Sequence, residues 1–296
     1  MAERKPRKLF CEISPLTYAI SAGKEILVRH LKDLFSKDRF PKRPRFDPAR
    51  GEEPEPMPVI VKGHSSILKR KLNGVDMSLQ ESKAVNIALA CRRINGTVVE
   101  PGETFSFWRA VGNPTRRKGY QKGLVISKNR FLADYGGGLC QMANMIHWLV
   151  LNSPLTVTEL HHHSDALFPD DRRRVPFGTG TSVCYNNVDY RFRNDTDRPV
   201  QILVWVDSAL GELCGELRTS EAFPCRYRLT EEDHHFSLED GKYYRVSEVW
   251  RAVTDRKTGE LVRREKILDN HSEVMYDYAL IPPDQIRHTE REDGAS

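Results

Sequence analysis

The hydrophobic pattern of the first 60 residues predicts one amphipathic helix followed by an extended arm. Between Pro15 and Ser36, apolar residues recur mostly every three or four positions, which is typical of a helix with one apolar face. We expect this face to pack against the chain's own domain, and contact with anionic lipid is the alternative. Residues 37–58 are rich in proline and charge, so they are predicted to form a linker or a wrapped arm.

A second helix is predicted over residues 78–94. Ser78 and Glu81 have the spacing of a capping box, in which the serine accepts from the third helical amide and the glutamate reaches back to the cap. A periodic apolar run then continues to Ile94, and Asn95 with the glycine after it ends the helix. A short strand is predicted directly afterwards, at 97–99.

The later part of the chain is dominated by strand and turn signals. Val183–Tyr185, Asp189–Arg193 and Val200–Val206 alternate or run apolar, with many β-branched and aromatic residues. The last two are predicted to pair as a hairpin across the turn between them. Two further strands are predicted at 246–253 and 261–268. Helices first and strands afterwards indicate an α+β fold built on an antiparallel sheet.

The length and apolar content bound the number of domains. A chain of 296 residues that is 39% hydrophobic has enough apolar residues for one main domain with appendages. We divide it into a basic helix and proline-rich arm (1–64), a central domain (65–210) and a β-rich C-terminal extension of the same domain (211–296).

Charge changes this picture only at the N-terminus. Residues 1–50 carry 13 Lys or Arg and 6 Asp or Glu, so the net charge of +5 is concentrated there. We expect peripheral membrane contact or a solvated surface from this arm. No nucleic-acid partner is expected, because basic recognition helices, zinc-finger spacing and aromatic stacking motifs are missing. The oligomeric state stays open.

Targeting signals and cysteines indicate the compartment. No apolar run in the sequence matches a secretory signal or a membrane span, which predicts a cytoplasmic protein. The six cysteines are therefore expected to be reduced thiols.

The densest candidate chemistry is the segment from Gly136 to Gln141. The three glycines Gly136, Gly137 and Gly138 indicate a tight turn or a cradle that another group approaches closely. Cys140 follows at the predicted start of a helix, where the positive end of the helix dipole lowers the pKa of a thiol. Free amides at the helix start, with Gln141, are candidate oxyanion donors. The sequence thus offers Cys140 as a nucleophile.

A cysteine nucleophile needs a base, and a histidine cluster follows. In a strand, His161 and His163 share one face while His162 points to the other, so two imidazoles are able to face Cys140. His163 or His161 is the predicted general base. The candidates for the group that orients the imidazole are Asp165, Asp189 and Asn186.

Plainer interpretations stand beside these. Cys140 is also suited to packing as a small buried apolar residue, and a core or surface role fits His147 better than a ligand role. Cys140, His161, His163 and Cys184 are acceptable zinc ligands, but no CxxC or HExxH spacing supports a metal site, and we predict neither metal nor cofactor.

Trp108 and Tyr120 are core residues or walls of a substrate groove. Arg172–Arg174 form a solvated loop or meet an anionic substrate.

Several of these segments together resemble the VanW family. The matching motifs are Pro101–Trp108, Val111–Thr115, Gly119-Tyr120, Gly136–Gln141, His161–Ser164 and Asp189–Thr196. The resemblance extends over about 65–205, which makes the central segment a VanW domain. This chain has Leu160 where the family pattern usually has a basic residue, and His162 where an asparagine is usual.

The resemblance implies a setting and leaves two activities open. It implies a cell-envelope or glycopeptide-resistance accessory protein whose ligand is a peptide or a cell-wall precursor. A thiol on a helix and a base on a sheet also resemble the papain-like and transglutaminase-like arrangement. The first hypothesis is a cysteine-dependent amidase, peptidase or transferase. The alternative is a non-catalytic binding module for a wall fragment or a partner protein.

Overall fold

The computed structural model describes residues 9–44, 46, 51–69, 77–127, 130–162, 165–166, 169, 174–185 and 188–288. Within these residues the chain has the predicted α+β fold, with several antiparallel sheets and few helices. The helices are α1 (Pro15–Phe35), α2 (Met77–Ile94), α3 (Phe107–Val111) and α4 (Cys140–Leu151). No helix of this part of the chain has the length and apolar content to cross a membrane.

The strands follow in chain order. They are β1 (Val59–Ile67), β2 (Thr97–Val99), β3 (Thr104–Ser106), β4 (Lys122–Ser127), β5 (Arg130–Tyr135), β6 (Thr156–Glu159), β7 (Asp165–Ala166), β8 (Arg191–Arg193), β9 (Val200–Asp207), β10 (Glu212–Thr219), β11 (Cys225–Glu239), β12 (Lys242–Asp255), β13 (Leu261–Val274) and β14 (Ile286–His288).

The main core lies between the sheet β1-β10-β9-β2 and the helices α2 and α4. Val200, Ile202 and Val204 of β9 belong to this core, and Gln201 and Leu203 between them are buried as well. A Cβ at Gly215 would lie 2.9 Å from Met145 Cγ, so the absence of a side chain there lets α4 approach β10 closely. This sheet contains strands from all three predicted segments, and the division at 64 and 210 stays a prediction.

A smaller sheet, β3-β8-β6, corrects the predicted hairpin. β8 pairs with β3 and β6, whereas β9 pairs with β10 and β2. The prediction that 189–193 and 200–206 pair with each other was therefore wrong. The turn between them is tied down by Asn194, whose amide donates to the carbonyls of Val99 and Arg198 at 2.8 and 2.9 Å. These bonds hold the turn in place between β8 and β9, which belong to different sheets.

The C-terminal part is a sheet of long strands in the order β14-β11-β12-β13-β7. β11, β12 and β13 are consecutive antiparallel neighbours, and the predicted strands at 246–253 and 261–268 lie within β12 and β13. The turns at Asp240 and Gly259, both with positive φ, connect them.

Helix α2 spans nearly the predicted range but begins earlier. It already includes Met77, so Ser78 lies inside the helix and is not its N-cap. Residues 70–76 lie outside the described residues. The capping-box spacing at Ser78 was therefore a misleading signal.

Helix α1 is oriented opposite to our expectation. Leu16, Ile20, Leu27 and Leu34 are 70%, 54%, 59% and 75% exposed, so its apolar face points away from the domain. Its polar face makes the contacts with the domain instead, through ion pairs described below. The expectation of apolar packing was wrong because periodicity shows that a helix has two faces but does not show which face meets the protein.

Candidate functional site

The triple-glycine turn packs against the protein's own backbone. Gly136 and Gly138 have φ of 77° and 92°, a conformation that favours glycine. A Cβ at Gly136 would lie 2.7 Å from Pro114, and a Cβ at Gly137 would overlap the backbone of Gly123 in β4. The close approach that the turn permits is therefore one between segments of this chain. A substrate cradle formed by these glycines stays a prediction.

Cys140 is the first residue of α4, as the pattern predicted. Cys140 is half-buried, and its thiol donates a hydrogen bond to the carbonyl of Val183, with Sγ and O 3.7 Å apart. Burial raises the pKa of this thiol, and hydrogen bonds to the backbone offset only part of the effect. The expected lowering of the Cys140 pKa was wrong, because loss of water penalises the thiolate more than the helix start stabilises it. Its catalytic role stays a prediction.

The side chain of Gln141 is hydrogen-bonded to residues at the end of β1. Its side-chain amide donates to Ser66 Oγ at 2.9 Å and to the carbonyl of Ile67 at 2.8 Å. Its backbone amide donates to the carbonyl of Gly138 at 3.1 Å. These bonds fix the start of α4 to the end of β1. An oxyanion role for Gln141 requires that they be exchanged.

Of the two histidines predicted as the general base, only His161 lies within the described residues. The Nε2 atom of His161 lies 3.0 Å from Glu159 Oε1, and no hydrogen bond between His161 and Cys140 occurs among the described residues. His163 lies outside those residues, as do Asn186 and the side chain of Asp165. In the part of the chain that is described, no three His, Cys, Asp or Glu side chains converge as metal ligands do.

Asp189 is buried at the junction of β8, β3 and α3. It accepts from Ser106 Oγ at 2.6 Å, from the amides of Trp108 and Tyr190 at 3.1 and 2.9 Å, and from Arg191 Nε at 2.8 Å. None of these donors is an imidazole. The group that Asp189 orients is therefore the Arg191 guanidinium.

Arg191 is the centre of a buried ion-pair network. Its side chain is 8% exposed and lies 2.8 Å from Asp33, 2.8 Å from Asp189 and 3.4 Å from Glu159. Burial by itself lowers the pKa of this guanidinium, but the charges of Asp189 and Asp33 and their hydrogen bonds outweigh it, so the pKa lies above its ordinary value. The network therefore holds a permanent positive charge among three carboxylates.

The same network attaches α1 to the domain. Arg29 forms a two-pronged pair with Glu159, with N–O distances of 2.7 and 2.5 Å, and Asp33 pairs with Arg191. Burial alone raises the pKa of Glu159, but hydrogen bonds from Arg29 and His161 outweigh burial and lower it. Fork geometry of this kind fixes orientation as well as distance.

Two adjoining cavities flank this network. The smaller, about 80 Å³, lies between α1 and the domain. Trp108 forms part of its wall, donating Nε1–H to the carbonyl of Val188 at 2.9 Å and contacting the Tyr185 ring edge-on at 5.5 Å. Its lining is Ile26, Arg29, His30, Asp33, Ser106, Trp108, Arg109, Tyr185, Asp189 and Arg191.

The larger cavity, about 270 Å³, is lined by four cationic side chains and by no carboxylate. These are Lys42, Arg43, Arg93 and Arg109. Arg109 lies over the Phe40 ring at 4.0 Å and 3.6 Å from Asp33. Among the described residues no carboxylate pairs with the other three. The remaining walls are Phe40, Pro41, Pro44, Thr97, Phe105, Ser106 and Ala110.

The two cavities meet at Ser106 and Arg109, which line both. Pairing of Phe105 in β3 with Phe192 in β8 brings the segments 101–108 and 189–196 together at this point. Cys140 and the glycine turn line neither cavity. A cluster of buried charges and a cationic cavity thus lie beside β3 and β8, and the cysteine that the sequence singled out belongs to neither.

Other predicted site residues have varied positions. Tyr120 is 4% exposed, lines neither cavity, and its hydroxyl has no hydrogen-bond partner among the described residues. Arg174 pairs with Glu212 at 2.9 Å on the surface of the main sheet, and Arg172 with its neighbour lies outside the described residues. His147 is buried against the Tyr190 hydroxyl at 3.2 Å, in a core position.

Sequence reasoning missed Arg29, Asp33, Glu159 and Arg191. One signal was available: Asp189 and Arg191 are two residues apart in an extended segment and so lie on one face. The partners on α1 had no signal, because Asp33 lies about 150 residues away in the chain and was read as part of a solvated face.

The fold and site define a class of α+β protein in which a basic helical arm is joined to a domain through a buried ion-pair network. The family description "VanW like protein" matches residues 82–217. The Vancomycin B-type resistance protein VanW of Enterococcus faecalis is 30% identical over 220 residues, which cover 74% of this chain and 79% of that protein. The chain belongs to the VanW family.

A second relative is similar over a shorter stretch. The uncharacterized protein YoaR of Bacillus subtilis is 33% identical over 125 residues, 42% of this chain and 40% of that protein. No solved structure matches this chain.

Proposed function

We propose that this VanW-family protein is a cell-envelope accessory protein that binds an anionic cell-wall precursor or wall fragment without cleaving it. The binding site is the pair of cavities beside β3 and β8. The name of the Enterococcus faecalis relative supports a glycopeptide-resistance setting. Of the two hypotheses drawn from the sequence, this proposal corresponds to the non-catalytic binding module.

The observation that carries the proposal is the charge of the larger cavity. Four cations line it, and for three of them, Lys42, Arg43 and Arg93, no carboxylate partner occurs among the described residues, so their positive fields add. Arginine forks suit phosphate and carboxylate groups, and the neighbouring Phe40, Phe105 and proline walls suit an apolar portion of the same ligand. A wall precursor combines such groups.

The buried network gives this site rigidity. Arg109 contacts both Phe40 and Asp33, and Asp33 is fixed in turn by Arg191. A cation held by packing and by a fixed partner loses little conformational freedom when a ligand binds. The network therefore positions the cationic wall.

The acyl-transfer hypothesis stays a prediction. Its supporting observation is the position of Cys140 at the start of α4, directly after the glycine turn. It requires the Cys140 thiol to ionise, which burial opposes, and an imidazole to reach it. The papain-like or transglutaminase-like arrangement and a cytoplasmic location likewise stay predictions.

Titration calorimetry on the full chain tests the binding proposal with two probes, UDP-N-acetylmuramoyl pentapeptide and a lysozyme-released muropeptide without phosphate. Arg93→Gln and Arg43→Gln are expected to weaken binding of the preferred probe about tenfold or more each. Lys257→Gln, in an exposed turn, is the matched control. A Cys140→Ser variant is expected to bind normally.

Two outcomes would overturn the proposal. One is binding that is unchanged in both arginine variants while thermal melting shows intact folds. The other is turnover of either probe that Cys140→Ser abolishes, which would favour the acyl-transfer hypothesis instead. Comparison of the two probes distinguishes phosphate from carboxylate as the anionic group.

A further inference from the structure

The N-terminal segment concentrates exposed apolar side chains. Between residues 9 and 35, ten large apolar residues are exposed, as many as in all the rest of the described chain. They are Leu9, Phe10, Ile13, Leu16, Tyr18, Ile20, Leu27, Leu31, Leu34 and Phe35. Isolated exposed apolar residues are ordinary, but such a concentration in one short segment indicates an interaction surface.

Five of these residues form one stripe along α1. Successive members are spaced by three, four or seven residues, which places them on a single side of the helix. We call the set Leu16, Ile20, Leu27, Leu31 and Leu34 the outer stripe. Arg29 and Asp33, which bind the domain through Glu159 and Arg191, lie on the opposite side. The helix is thus anchored by its polar face and presents its apolar face outward.

The charges beside the outer stripe indicate what covers it. The exposed charged side chains of α1 are Lys24 and Lys32, whereas its two acidic residues, Glu25 and Asp33, are half-buried or buried. After the helix, the exposed cations Lys37 and Arg39 outnumber the exposed Asp38 between them, and the sequence before it contains Arg4, Lys5, Arg7 and Lys8 against Glu3. An apolar stripe flanked by lysines matches a helix that lies in the interface of an anionic bilayer.

A second copy of this chain fits the same surface less well. Packing two outer stripes together would bring Lys24 and Lys32 of one copy towards those of the other, and like charges oppose that approach. Anionic headgroups neutralise the same lysines. Charge complementarity therefore favours lipid over self-association.

We propose that α1 docks the protein on an anionic membrane surface, with the outer stripe inserted among the headgroups and the ion pairs Arg29–Glu159 and Asp33–Arg191 holding the domain against the inner side of the helix. The smaller cavity, which is lined in part by α1, then lies on the membrane-proximal side of the domain. This inference rests on the exposure of α1 and is independent of the proposed ligand.

Vesicle flotation of the full chain tests the docking. Binding is expected to vesicles of phosphatidylcholine with 30% phosphatidylglycerol at low salt, and to fall at least tenfold both in pure phosphatidylcholine and at high salt. Leu27→Glu with Leu34→Glu is expected to lower the affinity at least tenfold. Both residues are exposed, so the fold is kept. The matched control is Leu261→Glu with Val262→Glu, a pair that is 60% and 57% exposed in β13.

A fluorescent reporter gives a second measurement. Phe35→Trp is expected to show a blue-shifted emission when phosphatidylglycerol vesicles are added, whereas Leu210→Trp, in a turn where Leu210 is also highly exposed, is expected to show none. Absence of binding to anionic vesicles, or binding that survives the two glutamates, overturns the inference. So does light scattering that shows a dimer which the same glutamates dissociate. Soluble-precursor binding measured on these variants reports on the proposed function separately.

Discussion

Arg191 Nε donates to Asp189 Oδ2 at 2.8 Å, and both side chains are more than nine-tenths buried. The two residues lie on one face of an extended segment, so the pair is a local one. Ser106 of β3 bonds to Asp189, and Asp33 of α1 pairs with Arg191. This relationship joins the helical arm, the small sheet and the cavities.

Removing the charge of Asp189 is expected to destabilise the fold strongly. Asp189→Asn leaves the buried Arg191 with fewer compensating charges, and breaking such a buried pair costs on the order of 3–5 kcal/mol. Urea denaturation at pH 7 measures the loss. Asp195→Asn is the matched control, because it breaks the pair with Arg193 on the exposed side of the same strand. Equal losses in the two variants would contradict a special role for the buried pair.

Gly137→Ala is expected to destabilise the glycine turn. A Cβ there would overlap the backbone of Gly123, and neither backbone is free to move far, so a cost of about 2 kcal/mol or more is expected. Gly137 has no positive φ, which isolates the effect of close approach.

Gly63→Ala is the control: its Cβ would lie 3.8 Å from Glu216 Cγ, an ordinary contact, and a change under about 1 kcal/mol is expected. Thermal melting compares the two. A Gly137→Ala variant as stable as Gly63→Ala would restore the idea of an open cradle.

Cys140 is expected to resist alkylation in the folded protein. Cys140 is half-buried, and desolvation raises the pKa of its thiol and keeps it protonated, so iodoacetamide should modify it about tenfold or more slowly than free cysteine. Cys184 is exposed and should be modified earlier. Peptide mapping by mass spectrometry after timed quenching gives both rates in one sample, with Cys184→Ser as the check on assignment. Rapid modification of Cys140 at pH 7 would revive the nucleophile hypothesis.

The protein is expected to lose stability in mild acid through His147. Burial, aided by the nearby His162 charge, lowers the pKa of His147 from 6.5 to about 3. The unfolded chain therefore takes up a proton below pH 6.5 that the folded chain does not. This contribution is complete above pH 6.5 and falls as the pH drops towards 3, by about 2 kcal/mol between pH 7 and pH 5.

Urea denaturation at these two pH values tests the expectation. His147→Gln, which keeps a polar partner for Tyr190, should reduce the pH dependence by about that amount. Glu159 has a lowered pKa, so its contribution is lost only below about pH 4.5. Burial also lowers the pKa of His64, from 6.5 to about 4, so His64 contributes in the same window, equally in the two proteins. The exposed His271 serves as the control in His271→Gln. A pH dependence that His147→Gln leaves intact would mean that another group is responsible.

The sequence by itself determined the elements with strong local signals. The period of the apolar residues predicted α1 and α2, the Gly-rich turn predicted the start of α4 at Cys140, and the turns at Asp240 and Gly259 predicted the long C-terminal strands. These follow from local backbone preferences. The motifs also indicated the VanW family, which the comparisons confirmed.

Only the tertiary structure decided how these elements meet. Contacts between residues far apart in the chain decide whether β8 pairs with β9 or with β3, and which face of α1 meets the domain. They also decide how far the Cys140 thiol is removed from water. The network of Asp33, Glu159 and Arg191 is the clearest case. Desolvation and ion pairing are set by what surrounds a group in space, and neighbours along the chain supply only a small part of that environment.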